Sequence, residues 1–541
     1  MQKGCEARIR TSVAVWPKSV AMLCLLLAGA FIVACGSKPT DPRTVLPADS
    51  LLYLETADLG RALKAVTSGP EFQRRAGSLP NFSAMDGISL SIAVTGFQTT
   101  EERLPDQNMV LNFKPRFVAV AETNAWNFQA LSFTENQLGG FINEVYGGEV
   151  GLVSEEKHGG RYFTWTAVDG RKAFAFVQGS VIVFGNDEPG LENSVNILRG
   201  GGDSIASNPK VSGFSRDSLA SGYVSKDGVA QLANIAAVSF AIDSGENADA
   251  MGFVAQVMPQ IVRNSVTEAV WVSRKLPDGR VEDVYDVSLA SDTAGVLVET
   301  ITAGSDTDPG LKRFVPADAH SATSYMLKDA RIAWRSVLLM TRTKVDDLYG
   351  NLLTAFSPAF FDPYGVGDGE VFLGSIESTL QTVRMDADGD EVAVIARMKD
   401  RDGVRRSVAK GLDLSRPAAN TDGIDTWRTA DGEISAAIVG DYIVIGESAA
   451  VRKCVEAHKN NSAAATEDTA FDSSAPIMTR GRDLDSGPAL LRALTGDRNA
   501  GGELVQAYST ESRFDRNGLR RRTVSELGLI GVITAMAGSG S

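Results

Sequence analysis

Cys454 and His458 are the two residues whose types and spacing come closest to a reactive pair. Four residues apart on a helix they share one face, where the imidazole could act as base for the thiol or join it as a metal co-ligand. Val451, Cys454, Val455 and His458 also follow the spacing of a buried apolar stripe, and cysteine is among the most buried residue types. A histidine in a last helical turn gains from the helix dipole as well. A nucleophile needs a polar, accessible setting that this stripe does not offer, so Cys454 is expected to be structural.

Asp386, Asp388, Asp390 and Glu391 around Gly389 resemble a calcium loop in composition only. The glycine stands one place before the third aspartate, and Arg397 occupies the position of the closing glutamate. Flanking apolar runs make Ala387 to Asp390 a hairpin tip instead. His158, His320 and His458 are too scattered for a zinc cluster or a triad, and there is no Gly-x-Ser-x-Gly elbow. Gly200, Gly201 and Gly202 lack the Lys and Ser or Thr of a phosphate cradle and read as a helix stop. Arg520, Arg521 and Arg522 suit an edge-strand solubility device as well as a ligand site. No catalytic, cofactor-binding or metal residue is therefore assigned.

The elements that would carry these residues can be read from periodicity and turn chemistry. Strands are expected at Leu51 to Glu55, Ile88 to Val94, Phe117 to Glu122, Arg161 to Val168, Lys172 to Gln178 and Val181 to Phe184. Asp169 with Gly170 suits a two-residue type I′ turn, and Gly179 with Ser180 a type II′ turn. Helices are expected at Leu59 to Val66, across Asn124 to Tyr146 with a break or kink near Gly139 and Gly140, and at Glu188 to Leu198 capped by Asp187. Further along, a long helix around Ala330 to Phe356 precedes strands Ser375 to Met385 and Glu391 to Arg397. Gly440 with Asp441 turns again, and Ser448 caps a helix Ala449 to His458. The mixture lacks βαβ alternation and predicts an α+β fold, with antiparallel meander sheets packed by helices.

An internal duplication is also expected. Pro47, Ala48, Asp49 recurs as Pro316, Ala317, Asp318; Thr164, Trp165, Asp169, Gly170 recurs as Thr426, Trp427, Asp431, Gly432; Arg274, Asp278, Gly279 has a fainter echo in Arg513, Asn517, Gly518. Two tandem units follow, 46–314 with an insertion near 228–265, and 315–541. Trp165 and Trp427 are expected at equivalent places.

Upstream, Lys3, Arg8, Arg10 and Lys18 form a basic region before the apolar run Val20 to Ala34, and no charge occurs from Ser19 to Ser37. The run is long enough for a retained signal anchor. Against that stand Ile32, Val33, Ala34, Cys35, followed by Gly36, Ser37, Lys38, Pro39 and Thr40, which read as a tether over 35–45. This segment resembles a bacterial lipoprotein signal. The resemblance implies cleavage after residue 34 and diacylglycerol on Cys35, with acyl chains holding the protein on a membrane of the cell envelope. By the sorting rule of such proteins, Gly36 implies the outer membrane, facing the periplasm or the cell surface.

Without residues 1–34 the formal charge moves from −14 to near −17, a surface that repels phosphate backbones and argues against nucleic acid as a partner. Cys454 would be the one free thiol, so no intramolecular disulfide can form. The body resembles an uncharacterised family of exported bacterial proteins whose domains open with proline, alanine, aspartate. Its other shared motif is a glycine-flanked strand before a helix, here Gly179 to Gly185 and Gly440 to Gly446. That resemblance implies an α+β envelope protein and supplies no catalytic residues. The favoured expectation is a non-enzymatic, lipid-anchored binding or scaffold module with an envelope protein or peptide partner and no cofactor. The alternatives are a metal-free hydrolase and a carrier of a hydrophobic ligand.

Overall fold

Runs rich in β-branched and aromatic residues, punctuated by glycine and aspartate, form strands that alternate with helical stretches along this chain. In the computed structural model they form a single antiparallel sheet of twenty strands with helices on both faces, an α+β fold. The structure describes residues 39–69, 72, 85–103, 109–243, 248–301, 308–386, 389–408, 412–414, 419–421, 424–460, 475–483 and 505–539. Residues 1–34 and Cys35 lie outside these, as do Ala387 and Asp388.

The strands are β1 (Leu52–Thr56), β2 (Ser89–Arg103), β3 (Met109–Glu122), β4 (Gly151–Lys157), β5 (Gly160–Thr166), β6 (Lys172–Gln178), β7 (Val181–Gly185), β8 (Ala220–Val224), β9 (Val266–Lys275) and β10 (Val281–Leu289). They continue as β11 (Ser321–Met326), β12 (Ile376–Arg384), β13 (Val392–Met398), β14 (Ala419–Thr421), β15 (Ile424–Arg428), β16 (Ile434–Val439), β17 (Tyr442–Glu447), β18 (Ile477–Asp483), β19 (Val505–Asp515) and β20 (Gly518–Ser525). Across the sheet the first ten stand in the order β4-β5-β6-β7-β3-β2-β1-β8-β9-β10. β10 then pairs with β20, and the rest follow as β20-β19-β18-β11-β12-β13-β17-β16-β15-β14.

The principal helices are α1 (Leu59–Thr67), α2 (Asn127–Ser132), α3 (Gly139–Tyr146), α4 (Glu188–Leu198), α5 (Lys226–Asp243), α6 (Ala248–Ser265), α7 (Ser291–Thr300), α8 (Ala330–Thr343), α9 (Asp347–Phe356), α10 (Gly369–Ser375), α11 (Arg401–Ser407), α12 (Ser448–Lys459) and α13 (Gly528–Ser539). One sheet face near β3 and β6 carries α4, with Val118, Val120, Phe176, Val183, Leu191 and Val195 in its core. The other face carries α2 and α3 over Ala121, Phe163, Trp165, Ala175 and Ile182. The alternation of Val120 with Ala121 and of Phe176 with Ala175 between these cores is the period-two signature of a strand. The C-terminal strands also carry helices on both faces. There α12 covers Ile395, Val444 and Val451, while α10 and α11 cover Val394, Trp427 and Ile445.

Several local expectations need correction. The side chain of Asp187 leaves its helix uncapped and accepts Thr95 Oγ1 at 2.7 Å, because β2 brings that hydroxyl alongside. Glu447, not Ser448, caps α12, its longer carboxylate accepting from Ala449 and Ala450 N at 2.8 and 2.9 Å. The helix expected over Ala330 to Phe356 is broken, since Asp346 starts α9 afresh by accepting Tyr349 N at 3.1 Å. Asp169 and Gly170 do not form a two-residue turn; Ala167 N bonds Arg171 O, leaving a three-residue loop with Gly170 at φ 85°. Gly179 and Gly440 do begin two-residue turns. The Arg520 to Arg522 run is not on an edge: β20 is interior, and Arg522 Nε meets Glu282 Oε1 at 2.6 Å. Trp165 lies opposite Ala173 and Trp427 opposite Ala436, both buried on the face opposite α4 and α12.

Candidate functional site

The Cys454 thiol lies fully buried among Phe314, Ile395, Val444 and Val451. Burial, helped by the Asp318 charge, pushes its pKa up to about 12, which removes the thiolate that chemistry would need. The His458 ring stacks on Phe314 at 4.3 Å, and its Nδ1 has no hydrogen-bond partner among the described residues. Burial and then Arg313 hold His458 below the usual imidazole pKa. The two therefore share a helix face as structural groups, and the geometry does not build a nucleophile with its base.

Asp386 Oδ1 accepts from Gly389 N at 3.0 Å and Oδ2 from Asp390 N at 3.1 Å. With Gly389 at φ 85°, the aspartate closes a loop by satisfying backbone donors, which suits the hairpin tip. Among the described residues no group of three His, Cys, Asp or Glu side chains is placed to hold a metal ion. The histidines stay apart: His158 sits in the β4–β5 turn beside Glu192, His320 precedes β11 and His458 ends α12. Gly200, at φ 89°, stops α4 by donating to Ile197 O.

Two buried carboxylates that the sequence did not single out have structural partners. Arg43 forks onto Glu55 at 2.7 and 2.6 Å, and Tyr53 Oη donates to the same carboxylate at 2.7 Å. Asp283 accepts from Trp271 Nε1 at 2.9 Å and from Leu529 N at 2.8 Å, so it ties the start of α13 to the sheet. Burial raises its pKa despite those donors.

What stands out instead is an exposed aromatic surface. Trp126, Phe128 and Phe141 are 62%, 68% and 60% exposed, and Phe133, Val145, Leu152 and Val153 lie open beside them in sequence. Their position follows from the helix geometry. Ala130 and Ile142 face the sheet, and Gly139 meets the Trp165 indole, where a Cβ would come within 3.2 Å of Nε1. Between α2 and α3 the chain makes a π-helical turn, Phe133–Leu138, a device that re-aims side chains and recurs at functional sites. This is the interruption expected near Gly139, displaced to the turn before it.

The segment that carries these side chains has one sign of charge. From Phe117 to Glu156 the chain contains no lysine or arginine and six glutamates. Five of them, Glu135, Glu144, Glu149, Glu155 and Glu156, are exposed. Arg171, which lies over the Tyr146 ring, is tied to Asp169 at 2.6 Å. Exposed aromatic rings are side chains that recognition surfaces favour.

No helix among the described residues is long and apolar enough to cross a membrane. Comparison with protein-family models, with curated proteins and with solved structures finds no match.

Proposed function

We propose that this chain is a lipid-anchored protein of the bacterial cell envelope, held to a membrane through acylated Cys35, that binds an envelope protein or peptide without catalysis. The observation that carries the binding reading is the exposed aromatic surface from Trp126 to Val153. Large apolar side chains left in water cost solubility, and five of them, Trp126, Phe128, Phe133, Phe141 and Val145, fall on the segment from Trp126 through α3 that covers one sheet face, which supports an interaction site there. The anchor and the outer-membrane location rest on the sequence from Lys3 to Gly36.

The body is two copies of one ten-strand unit, 46–314 and 315–541, a reading supported by register. From Pro47 and Pro316, which are 269 residues apart, the ladders carry Leu52 onto Ser321, Phe117 onto Val392 and Gly185 onto Gly446. In the other direction they carry Val224 onto Gly481 and Ala269 onto Tyr508, a separation of 239 residues that is also the separation of Arg274 from Arg513. By the same register Val284 and Arg522 are counterparts, and they face each other across β10 and β20 where a dyad would pass. Trp427 corresponds to Phe163 rather than to Trp165, a shift of two residues that keeps both indoles on one face. The insertion near 228–265 corresponds to the helical pair α5 and α6 between β8 and β9.

Two measurements test this. Cells fed a radioactive fatty acid should label the wild type and not Cys35→Ala, and the label should fractionate with outer membrane; an unlabelled wild type of unprocessed mass removes the anchor. A photo-crosslinking side chain at Phe128 should trap a discrete protein adduct in cells, whereas one at exposed Asp402 on α11 should not. Equal crosslinking at both positions, or at neither, removes the binding surface.

A further inference from the structure

The two ends of the sheet are unequal. β14 ends one side with three residues, while β4 ends the other with seven, running Gly151 to Lys157 with no proline and no register break. Among the described residues β4 pairs with β5 alone. Their two-residue turn, His158 and Gly159 at φ 57° and 80°, makes Lys157 and Gly160 a hydrogen-bonded pair. Counting back in twos, Gly151, Val153 and Glu155 also direct their backbone groups to β5. Leu152, Ser154 and Glu156 direct theirs outward, a row of open donors and acceptors.

The side chains on this edge are graded. Leu152 and Val153 are apolar and exposed, Ser154 is small, and Glu155 and Glu156 are acidic and exposed. Leu152, opposite Trp165, shares the sheet face of α2 and α3, where Phe141 and Val145 lie exposed; Val153 and Glu155 share the face of α4. Natural sheets blunt an open edge with lysine, proline or a bulge. β4 has no proline or bulge and confines its charges to one end, Glu155 and Glu156 beside a Lys157 that is tied to Glu192, so it discriminates between incoming strands.

We infer that β4 is a strand-addition site for an extended segment of a partner protein, one that carries two neighbouring apolar residues, a spacer and two neighbouring lysines or arginines. This deepens the binding reading above and rests on it. The apolar pair lies across from Leu152 and Val153, and the basic pair across from Glu155 and Glu156. Main-chain bonds to Leu152, Ser154 and Glu156 give affinity, and the flanking side chains give the choice of partner. Exposed Glu155 and Glu156, in a stretch without lysine or arginine from Phe117 to Glu156, supply the charge complementarity, with Arg161 opposite Glu156 on β5 as the one cation across the ladder from the pair. A second copy of this chain, paired antiparallel about Ser154, would set Glu155 and Glu156 opposite Val153 and Leu152 and supply them no cation, and an anionic lipid surface would repel them.

The test uses the full acylated chain in detergent and a fluorescent peptide containing Lys-Lys-Thr-Val-Val, with Glu-Glu-Thr-Val-Val as its control. The lysine peptide should bind, weaken with added salt, and protect the amides of Leu152, Ser154 and Glu156 from hydrogen exchange. Ser154→Pro removes an outward donor and leaves the β4–β5 bonds in place, so it should abolish binding while the circular dichroism spectrum is retained. Glu155→Lys with Glu156→Lys should weaken the lysine peptide about tenfold and admit the glutamate peptide. Equal binding to Ser154→Pro, or equal binding of the two peptides to the wild type, overturns the inference. So does failure of the lysine peptide to bind, whether the chain instead takes up phosphatidylethanolamine–phosphatidylglycerol vesicles through Phe128 and Phe141 or forms a dimer that Ser154→Pro dissociates. If the peptide fails while crosslinking at Phe128 still traps a protein, strand addition falls and the binding reading stands; if crosslinking fails as well, both fall.

Discussion

Arg522 Nε donates to Glu282 Oε1 at 2.6 Å across the ladder that joins β10 to β20, and Arg522 Nη1 lies 3.7 Å from Glu511 on β19. A guanidinium so placed holds two carboxylates of neighbouring strands at the one ladder where the N-terminal ten strands meet the C-terminal ten. Arg522→Ala takes the guanidinium from partly buried Glu282 and leaves Glu511 with Arg513, 3.7 Å away, in its place. It should cost about 2–3 kcal/mol, below the full range for a buried pair because the group keeps some water. Urea unfolding should show a lower midpoint, and Glu282→Gln in the same background should recover part of the loss.

Cys454 should resist modification. With its thiol buried and its pKa pushed up to about 12, a polar maleimide at pH 8 should leave the native protein unlabelled and label it after unfolding. Cys454→Ala should destabilise by roughly 1–2 kcal/mol through lost packing, with partner binding unchanged. Rapid labelling of the native protein would contradict the burial.

His458 should impose a pH dependence on stability. Its folded pKa lies below the unfolded value near 6.5, so on acidification the unfolded chain binds the proton first. Stability should therefore fall as pH drops from about 6.5 toward the folded pKa and be insensitive to this group above that window. His458→Phe keeps a ring against Phe314 and should flatten that slope in urea midpoints measured between pH 7.5 and pH 5. An unchanged slope would place the titration elsewhere.

Trp165→Ala and Trp427→Ala should each cost about 3–5 kcal/mol, as for any large buried aromatic truncated to a methyl. If the two ten-strand units unfold separately, each loss should fall on its own transition in a calorimetric scan. A single shared transition lowered equally by both would mean that the β10–β20 ladder couples the units into one cooperative body.

The parts of the fold that were legible in sequence are those set by local chemistry. Glu188 to Leu198 and Lys172 to Gln178 appear with the expected bounds, because a proline in the first helical turn, a following glycine and a strict run of strand formers leave little choice. The neighbours of Arg520 to Arg522 were not legible. Three arginines suit an open edge by composition, and only the pairing of β20 with β10, more than two hundred residues upstream, reveals carboxylates waiting on the adjacent strand. The exposed surface was hidden for a related reason. Periodicity marks Phe128, Phe133 and Phe141 as apolar, and nothing local separates an apolar face turned to a sheet from one turned to water. The missing signal was the forty-residue stretch without a lysine or arginine.

The ladder between β10 and β20 also sets an order of assembly. β10 is complete once Leu289 has emerged, yet its second partner begins at Gly518, and at ordinary synthesis rates the intervening chain takes on the order of tens of seconds to follow. Throughout that interval the N-terminal ten strands present a nine-residue unpaired edge, Val281 to Leu289, inviting any strand that arrives. β20 is thus the closing clasp of this edge, and a product truncated before Gly518 would keep it open for its lifetime.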